Sequence, residues 1–202
     1  MLKNWIVLAP MRSGSKLIVD VIRNYYLIEK YLKYSYLDPN TKFVNINSTI
    51  KSPWILHSHN VEEIQEYINS DAIFILNDRD ILECVLSRLI VDQTKKWHHY
   101  RNSTRTIVPF TLKLNKFIDY YNDHLNFKKI VKHYKNKANF ILDYSLFKND
   151  PMIIAKQLNL SIKRNNSKYN LSIKYPESYD KWFINWHEVK DLILEYHNQF
   201  ET

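Results

Sequence analysis

The sequence predicts an α/β protein built in three layers, a parallel sheet with helices on both faces. Short uncharged apolar runs at Trp5 to Ala9 and Ala72 to Leu76 read as buried strands, and Phe140 to Leu142 reads as another strand. The stretches between them carry apolar residues at helical spacing. Strands that alternate with helices pair in parallel and take a helical cover on each face, and ligands then collect beyond the carboxyl ends of the strands.

Taken in order, the strand from Trp5 leads into a helix over Ser15 to Tyr31. Residues 32 to 52 are irregular, with turn signals at Asp38-Pro39-Asn40 and Asn45-Ile46-Asn47-Ser48. Trp54 to His57 is a short strand, followed by a helix from Val61 to Asn69. The strand ending at Leu76 precedes a helix over Asp80 to Asp92, with Ile81, Leu82, Val85, Leu86 and Leu89 on one face. A long helical stretch covers 110 to 136 and carries Leu112, Phe117, Tyr121, Leu125 and Ile130. After Phe140 to Leu142, Asp150-Pro151 opens a helix to Leu158, since proline suits the first turn. Trp186 to Phe200 closes the chain as a helix. No repeat, low-complexity linker or boundary interrupts this order, so residues 1–202 are expected to form one domain.

A hydrophobic share of 45% with nine Phe, fifteen Tyr and five Trp gives ample material for a core. Twenty-nine basic residues against twenty-one acidic leave a net charge of +8, which suits a polyanionic ligand. Clusters such as Lys95-Lys96, Lys128-Lys129 and Lys132 to Lys137 read as solvated helix faces, and no nucleic-acid module signature is present. Cys84 is the single cysteine, set among Leu82, Val85 and Leu86. It excludes a disulfide framework or a cysteine-built zinc site and predicts a buried thiol. No signal peptide and no apolar run of about 20 residues is evident, and a cytoplasmic protein is expected.

The chain holds one glycine, Gly14, where average usage of roughly 7% would give about fourteen. It sits in Ala9-Pro10-Met11-Arg12-Ser13-Gly14-Ser15-Lys16, between the first strand and the first helix. A tight turn of small and basic residues before a helix N-terminus converges N–H groups and the positive end of the helix dipole on an anion. The nucleoside-triphosphatase loop needs Gly, four residues, then Gly-Lys-Ser/Thr. Here Ala9 replaces the first glycine, and Ser15 and Lys16 stand in reversed order. That displaces the magnesium-binding hydroxyl and disfavours a metal-dependent kinase.

Pro10-Met11-Arg12-Ser13-Gly14-Ser15 resembles the 5′-phosphosulfate loop of sulfotransferases that use 3′-phosphoadenylyl sulfate (PAPS). Two further elements resemble that family. Phe74 to Arg79 ends a strand in Arg, with Ser87 eight residues on, just over two helical turns. Phe140 to Pro151 matches its strand, Tyr-Glu-Asp-Leu-like turn and Asp-Pro helix start, and Leu158-Asn159-Leu160 its Leu-Gly-Leu. The three elements keep the family's order over residues 5 to 160.

The resemblance implies a P-loop-like sulfotransferase architecture that moves sulfonate from PAPS to an acceptor, which could be a sugar, lipid, phenol or peptide, without a metal. It implies that Arg12 stabilises charge on the transferring group. Ser13, Gly14, Ser15 and Lys16 then hold the 5′-phosphate, and Arg79 with Ser87 grips the 3′-phosphate. Lys16 departs from the small polar residue usual at that place. Ser58-His59 matches the family's Thr-His pair, making His59 the first choice of catalytic base, His57 the second, and Glu62 and Glu63 the substitutes. His98-His99, with Trp97 and Tyr100, lacks the spacing of metal ligands and could line the acceptor pocket; Lys163-Arg164 could add charge near the 3′-phosphate. Two rivals remain: a magnesium-dependent nucleotide or small-molecule kinase, and a non-catalytic polyanion-binding protein.

Overall fold

The computed structural model describes residues 4–25, 30–33, 54–62, 64–68, 71–95, 108–160 and 178–200. They fall into two compact units, one drawn from Met1–Arg79 and Lys129–Leu171, the other from Asp80–Lys128 and Ser172–Thr202.

The first unit is a five-stranded parallel sheet of β1 (Trp5–Leu8), β2 (Lys30–Lys33), β3 (Trp54–Ser58), β4 (Ile73–Asp78) and β5 (Phe140–Asp143), in the order β2-β3-β1-β4-β5. Helix α1 (Ser15–Tyr25) and the short helices α2 (Gln65–Ile68), α5 (Tyr144–Phe147) and α6 (Met152–Gln157) belong to the same unit. Alternate strand residues Trp5, Val7, Ile55, Ile75 and Leu142 pack with Ile18, Val19 and Ile22 of α1 and with Phe147 and Ile154. The opposite set, Ile6, Leu8, Leu56, Phe74 and Leu76, is equally buried, so both faces of the three central strands are closed to solvent. Burial of each such side chain contributes about 1.5–3 kcal/mol. This is the α/β class expected from the uncharged apolar runs.

Three expectations shift. Of the helix predicted to Tyr31, Ser15–Tyr25 is helical, residues 26–29 lie outside the described residues, and Lys30–Lys33 form a strand at the sheet edge. Helical apolar spacing continues through Tyr26, Leu27 and Ile28, so the sequence carries no stop; two lysines in four residues mark a protected edge strand. The rest of the expected irregular stretch lies outside the described residues. The helix expected from Val61 shrinks to Gln65–Ile68 because the side chains of Ser58 and Asn60 fold the chain into local turns, with Asn60 Oδ1 accepting from the N–H of Glu62 at 3.1 Å. The stretch 110 to 136 is α-helical over Leu114–Tyr134, runs on into a 3-10 turn at Lys135–Lys137, and is not helical at its start. Phe110 instead bridges Phe183, and the Asn185 side chain both accepts from Leu112 N–H at 2.8 Å and donates to its carbonyl at 3.1 Å. One amide thus mimics a strand neighbour and holds 110–112 extended.

Turn positions that usually take glycine are filled otherwise. Lys95 (φ 56°) and Asn159 (φ 52°) cap helices in the left-handed region, Asn159 at the place of the family's Leu-Gly-Leu glycine. The Asp150 side chain accepts from Met152 N–H at 2.9 Å, and Pro151 occupies the cap before α6.

The second unit holds α3 (Ile81–Thr94), most of α4 (Leu114–Tyr134) and α7 (Trp186–Asn198). Its core joins Val85, Leu86, Leu89 and Ile90 to Phe117, Tyr121, Trp182, Phe183 and Ile193. Cys84 is buried on α3, as its neighbours predicted. Asp92 links α3 to α4: the Tyr120 hydroxyl donates to it, and the Lys116 ammonium lies 3.3 Å away. Burial pushes the Asp92 carboxyl up, but the hydrogen bonds from Tyr120 and Lys116 outweigh it and hold the group below the ordinary carboxylate value. A depressed carboxyl stabilises the fold above its unfolded pKa of about 3.9 and loses that contribution as pH falls through the lower folded value. Asp92→Asn is therefore expected to cost under about 1 kcal/mol at neutral pH. Urea unfolding across the acid range should show the variant's deficit vanishing below about pH 4.

Candidate functional site

At and beyond their carboxyl ends, the adjacent strands β3, β1 and β4 deliver the two histidines, the first loop and Arg79. The strand order reverses at β1, whose chain crosses over β3 to β2 while β4 and β5 lie on its other side. A crevice at such a switch point is where parallel sheets bind ligands.

The loop leaves β1 as a tight turn, with Ser13 N–H donating to the Pro10 carbonyl at 3.3 Å. Arg12 (φ 66°) and Gly14 (φ 80°) both lie in the left-handed region. The Gly14 carbonyl already accepts from Leu17 N–H at 2.9 Å, so the N–H groups of Gly14 and Ser15 stand at the N-terminal end of α1. No acidic residue stands in that first turn to neutralise the dipole.

Arg12 and Asn159 show that the chain places other residues at positive φ, so backbone freedom alone does not explain why Gly14 is a glycine. A Cβ there would stand 2.4 Å and 2.5 Å from Cε2 and Cδ2 of Tyr144. The Arg79 guanidinium in turn lies 4.1 Å from the centre of the Tyr144 ring, and its Nη1 donates to the Arg12 carbonyl. Strand alternation explains the meeting. Ile73 and Ile75 face α1, so Asn77 and Arg79 continue on that side; Ile75 and Asn77 are in register with Phe140 and Leu142, which puts Tyr144 opposite Arg79. The Asn77 amide donates to the Ser13 carbonyl at 2.7 Å. Among the described residues, the buried Ser13 Oγ and Asn77 Oδ1 have no hydrogen-bond partner.

His57 is buried at 3% exposure, with Nε2 2.9 Å from Ser15 Oγ. His59 is half-buried, and its Nδ1–H donates to the Ala9 carbonyl at 2.7 Å. Because a carbonyl only accepts, this bond fixes the His59 tautomer and makes Nε2 the basic nitrogen of the neutral ring. The two rings meet edge to face at 4.8 Å.

Other expected residues are placed differently. Lys16 forms an ion pair with Asp20 one turn along α1; burial raises the Asp20 carboxyl above its ordinary value and Lys16 opposes that shift. Ser87 is buried on α3 in the second unit. Glu62 is exposed. Glu63, Trp97, His98, His99, Tyr100, Lys163 and Arg164 lie outside the described residues. Asn77 and Tyr144 were not singled out from the sequence. A polar residue ending the apolar run Ile73 to Leu76 was the available signal for Asn77. Among the described residues, no group of three or more His, Cys, Asp or Glu is placed to hold a metal ion, and no helix is long and apolar enough to cross a membrane.

No family model matches the chain, and no curated protein matches it in sequence. Among solved structures, it is similar to mouse sulfotransferase SULT7A1 complexed with PAP, with a TM-score of 0.51 and 16% identity over 83% of this chain. The match covers 61% of that protein, so this chain spans less than two thirds of its length. At that identity the likeness establishes the fold: the chain has a sulfotransferase-like α/β architecture with a parallel sheet.

Proposed function

We propose that the chain works as a single sulfotransferase-like domain, residues 1–202, that transfers sulfonate from PAPS to a hydroxyl or amine of an acceptor. The observation that carries this reading is the bond from the Arg79 guanidinium to the Arg12 carbonyl, which joins residues 67 apart in sequence. It brings the element assigned to the 5′-phosphate against the element assigned to the 3′-phosphate. The donor set fits a doubly phosphorylated nucleotide: the N-terminal end of α1, two arginines, and a loop drawn in against Tyr144.

When bound, PAPS supplies an activated sulfonate. In this reading Ser13, Gly14, Ser15 and Lys16 hold the 5′-phosphate, Lys16 while paired to Asp20. Arg12 neutralises charge gathering on the bridging and sulfonate oxygens. Arg79 holds the 3′-phosphate, with Ser87 assigned to the same group on the family's spacing. His59 Nε2 takes the proton that the acceptor hydroxyl releases, while its Nδ1–H stays on Ala9. The same reading places the enzyme in the cytoplasm, where the buried Cys84 remains a thiol.

Thermal unfolding with adenosine 3′,5′-bisphosphate (PAP), compared with ATP plus magnesium, tests this. PAP at a hundredfold excess over its Kd is expected to raise Tm by about 5–10 °C. Arg79→Ala should erase most of that shift, since each lost charge-assisted bond weakens binding by roughly tenfold or more. Stabilisation by ATP and magnesium alone would move the assignment to a kinase. PAP binding that survives Arg12→Ala and Arg79→Ala together would leave only a non-specific polyanion binder.

A further inference from the structure

We infer that His57 is a positioning residue that sets the hydrogen-bond polarity of the Ser15 hydroxyl, and through it the anion grip of the loop at the start of α1. The inference rests on the nucleotide reading of that loop and gives His57 a task other than that of base.

His57 stands on β3 in register with Val7 of β1, on the sheet face that packs against α1. That placement brings its Nε2 to 2.9 Å from the hydroxyl of Ser15, the first residue of α1, across 42 residues of sequence. A serine hydroxyl has one proton and two lone pairs. If Nε2 is bare, Ser15 must donate to it, and only lone pairs are left to face the loop. Lone pairs repel an anion at the place where the helix dipole attracts one. If Nε2 carries a proton, the imidazole donates to Ser15 Oγ, and the hydroxyl proton is released to donate to phosphate.

An anion in the loop therefore selects the Nε2–H form of His57. The neutral Nε2–H tautomer satisfies this, and the imidazolium satisfies it with a full positive charge added. Bound phosphate thus favours proton uptake at His57, and affinity gains as pH falls.

Among the described residues, Ser15, His59, Val7 and Lys33 stand about His57. Ser15 faces it from α1, with the Lys16–Asp20 pair in the adjoining turn. The His59 ring meets it edge to face from the residue just beyond β3, with Nδ1–H committed to Ala9. Val7 is its register partner on β1 and Lys33 its register partner on β2. His59 and His57 consequently divide two jobs between them, one proton acceptor and one loop anchor.

Isothermal titration of PAP between about pH 5.5 and 8 tests the assignment in the wild type, Ser15→Ala, His57→Leu, His57→Gln and the Ser15→Ala/His57→Leu double variant. Ser15→Ala and His57→Leu are each expected to weaken PAP about tenfold at the acid end, and the double variant no further, because the two residues act as one unit. His57→Gln keeps an amide donor without a titrating group. It should bind within about threefold of wild type at pH 8 and fall behind by about tenfold at the acid end. Comparing variants at each pH cancels the titration of the ligand's own phosphates. Should His57→Leu fail to fold, Ser15→Ala, His57→Gln and their double variant carry the same cycle. Additive losses, or wild-type and His57→Gln profiles that superpose at every pH, would overturn the positioning role alone. A wild type that binds no PAP at any pH overturns the nucleotide reading, and this inference with it.

Discussion

Gly14→Ala is expected to abolish retention of PAP and to lower the unfolding free energy by about 2–5 kcal/mol. Two separate costs make up that figure. An alanine at φ 80° occupies the left-handed region at about 1–2 kcal/mol. Its Cβ would also sit 2.4 Å from Tyr144 Cε2, far inside contact distance. The ring cannot retreat freely, because Arg79 lies over its face and the edge of Phe147 meets it at a centroid distance of 5.2 Å. Moving Tyr144 therefore moves Arg79 and loosens the bond to the Arg12 carbonyl, which is how a methyl group reaches both ends of the proposed nucleotide. Urea unfolding and PAP titration read the two effects separately. In a Tyr144→Ala background the steric part disappears, and Gly14→Ala should then cost only about 1–2 kcal/mol. Wild-type stability and PAP affinity in Gly14→Ala would remove Tyr144 as the reason for the glycine.

That glycine also marks the limit of what the sequence made legible. Its rarity and its place between strand and helix pointed to the loop, and the apolar runs gave the buried strands nearly to the residue, because a strand buried on both faces tolerates no charge. The reason for the glycine was not legible. Tyr144 lies far downstream along the chain, and only the register of β4 with β5 brings it opposite Arg79. Asn77 was hidden in the same way, as one more residue at the end of a strand until its amide is found on the Ser13 carbonyl.

Element ends failed where a side chain did the work of a backbone. Asn185 holds residues 110–112 extended, and Ser58 with Asn60 delays α2. In each case local spacing favoured a helix, and a polar side chain offered the main chain another partner. The order of the motifs, unlike their contacts, is a one-dimensional property. That is why the sequence could carry the fold resemblance while the packing that unites the site emerged only in three dimensions.

His59→Gln is expected to lower kcat for sulfonate transfer by about 10²–10⁴ while leaving the Kd for PAP within about twofold. The split follows from the two ring nitrogens. Nδ1–H anchors the side chain to the Ala9 carbonyl, beside the loop proposed to hold the nucleotide. Glutamine can still donate an amide N–H there, so the loop keeps its neighbour. What it lacks is a basic nitrogen, and the acceptor proton then has no local destination. A base must be neutral to act, so wild-type kcat should fall as pH drops through the histidine range, and that acid limb should vanish in His59→Gln. The exposed Glu62 serves as the comparison: Glu62→Gln should leave kcat and its pH profile within about twofold, since no contact ties it to the loop among the described residues. A reversal, with Glu62→Gln inactive and His59→Gln retaining the acid limb, would transfer the proton to the carboxylate. The His57 variants stand apart from both, because their expected signature is a pH-dependent change in PAP affinity, whereas loss of the base changes turnover at saturating PAP.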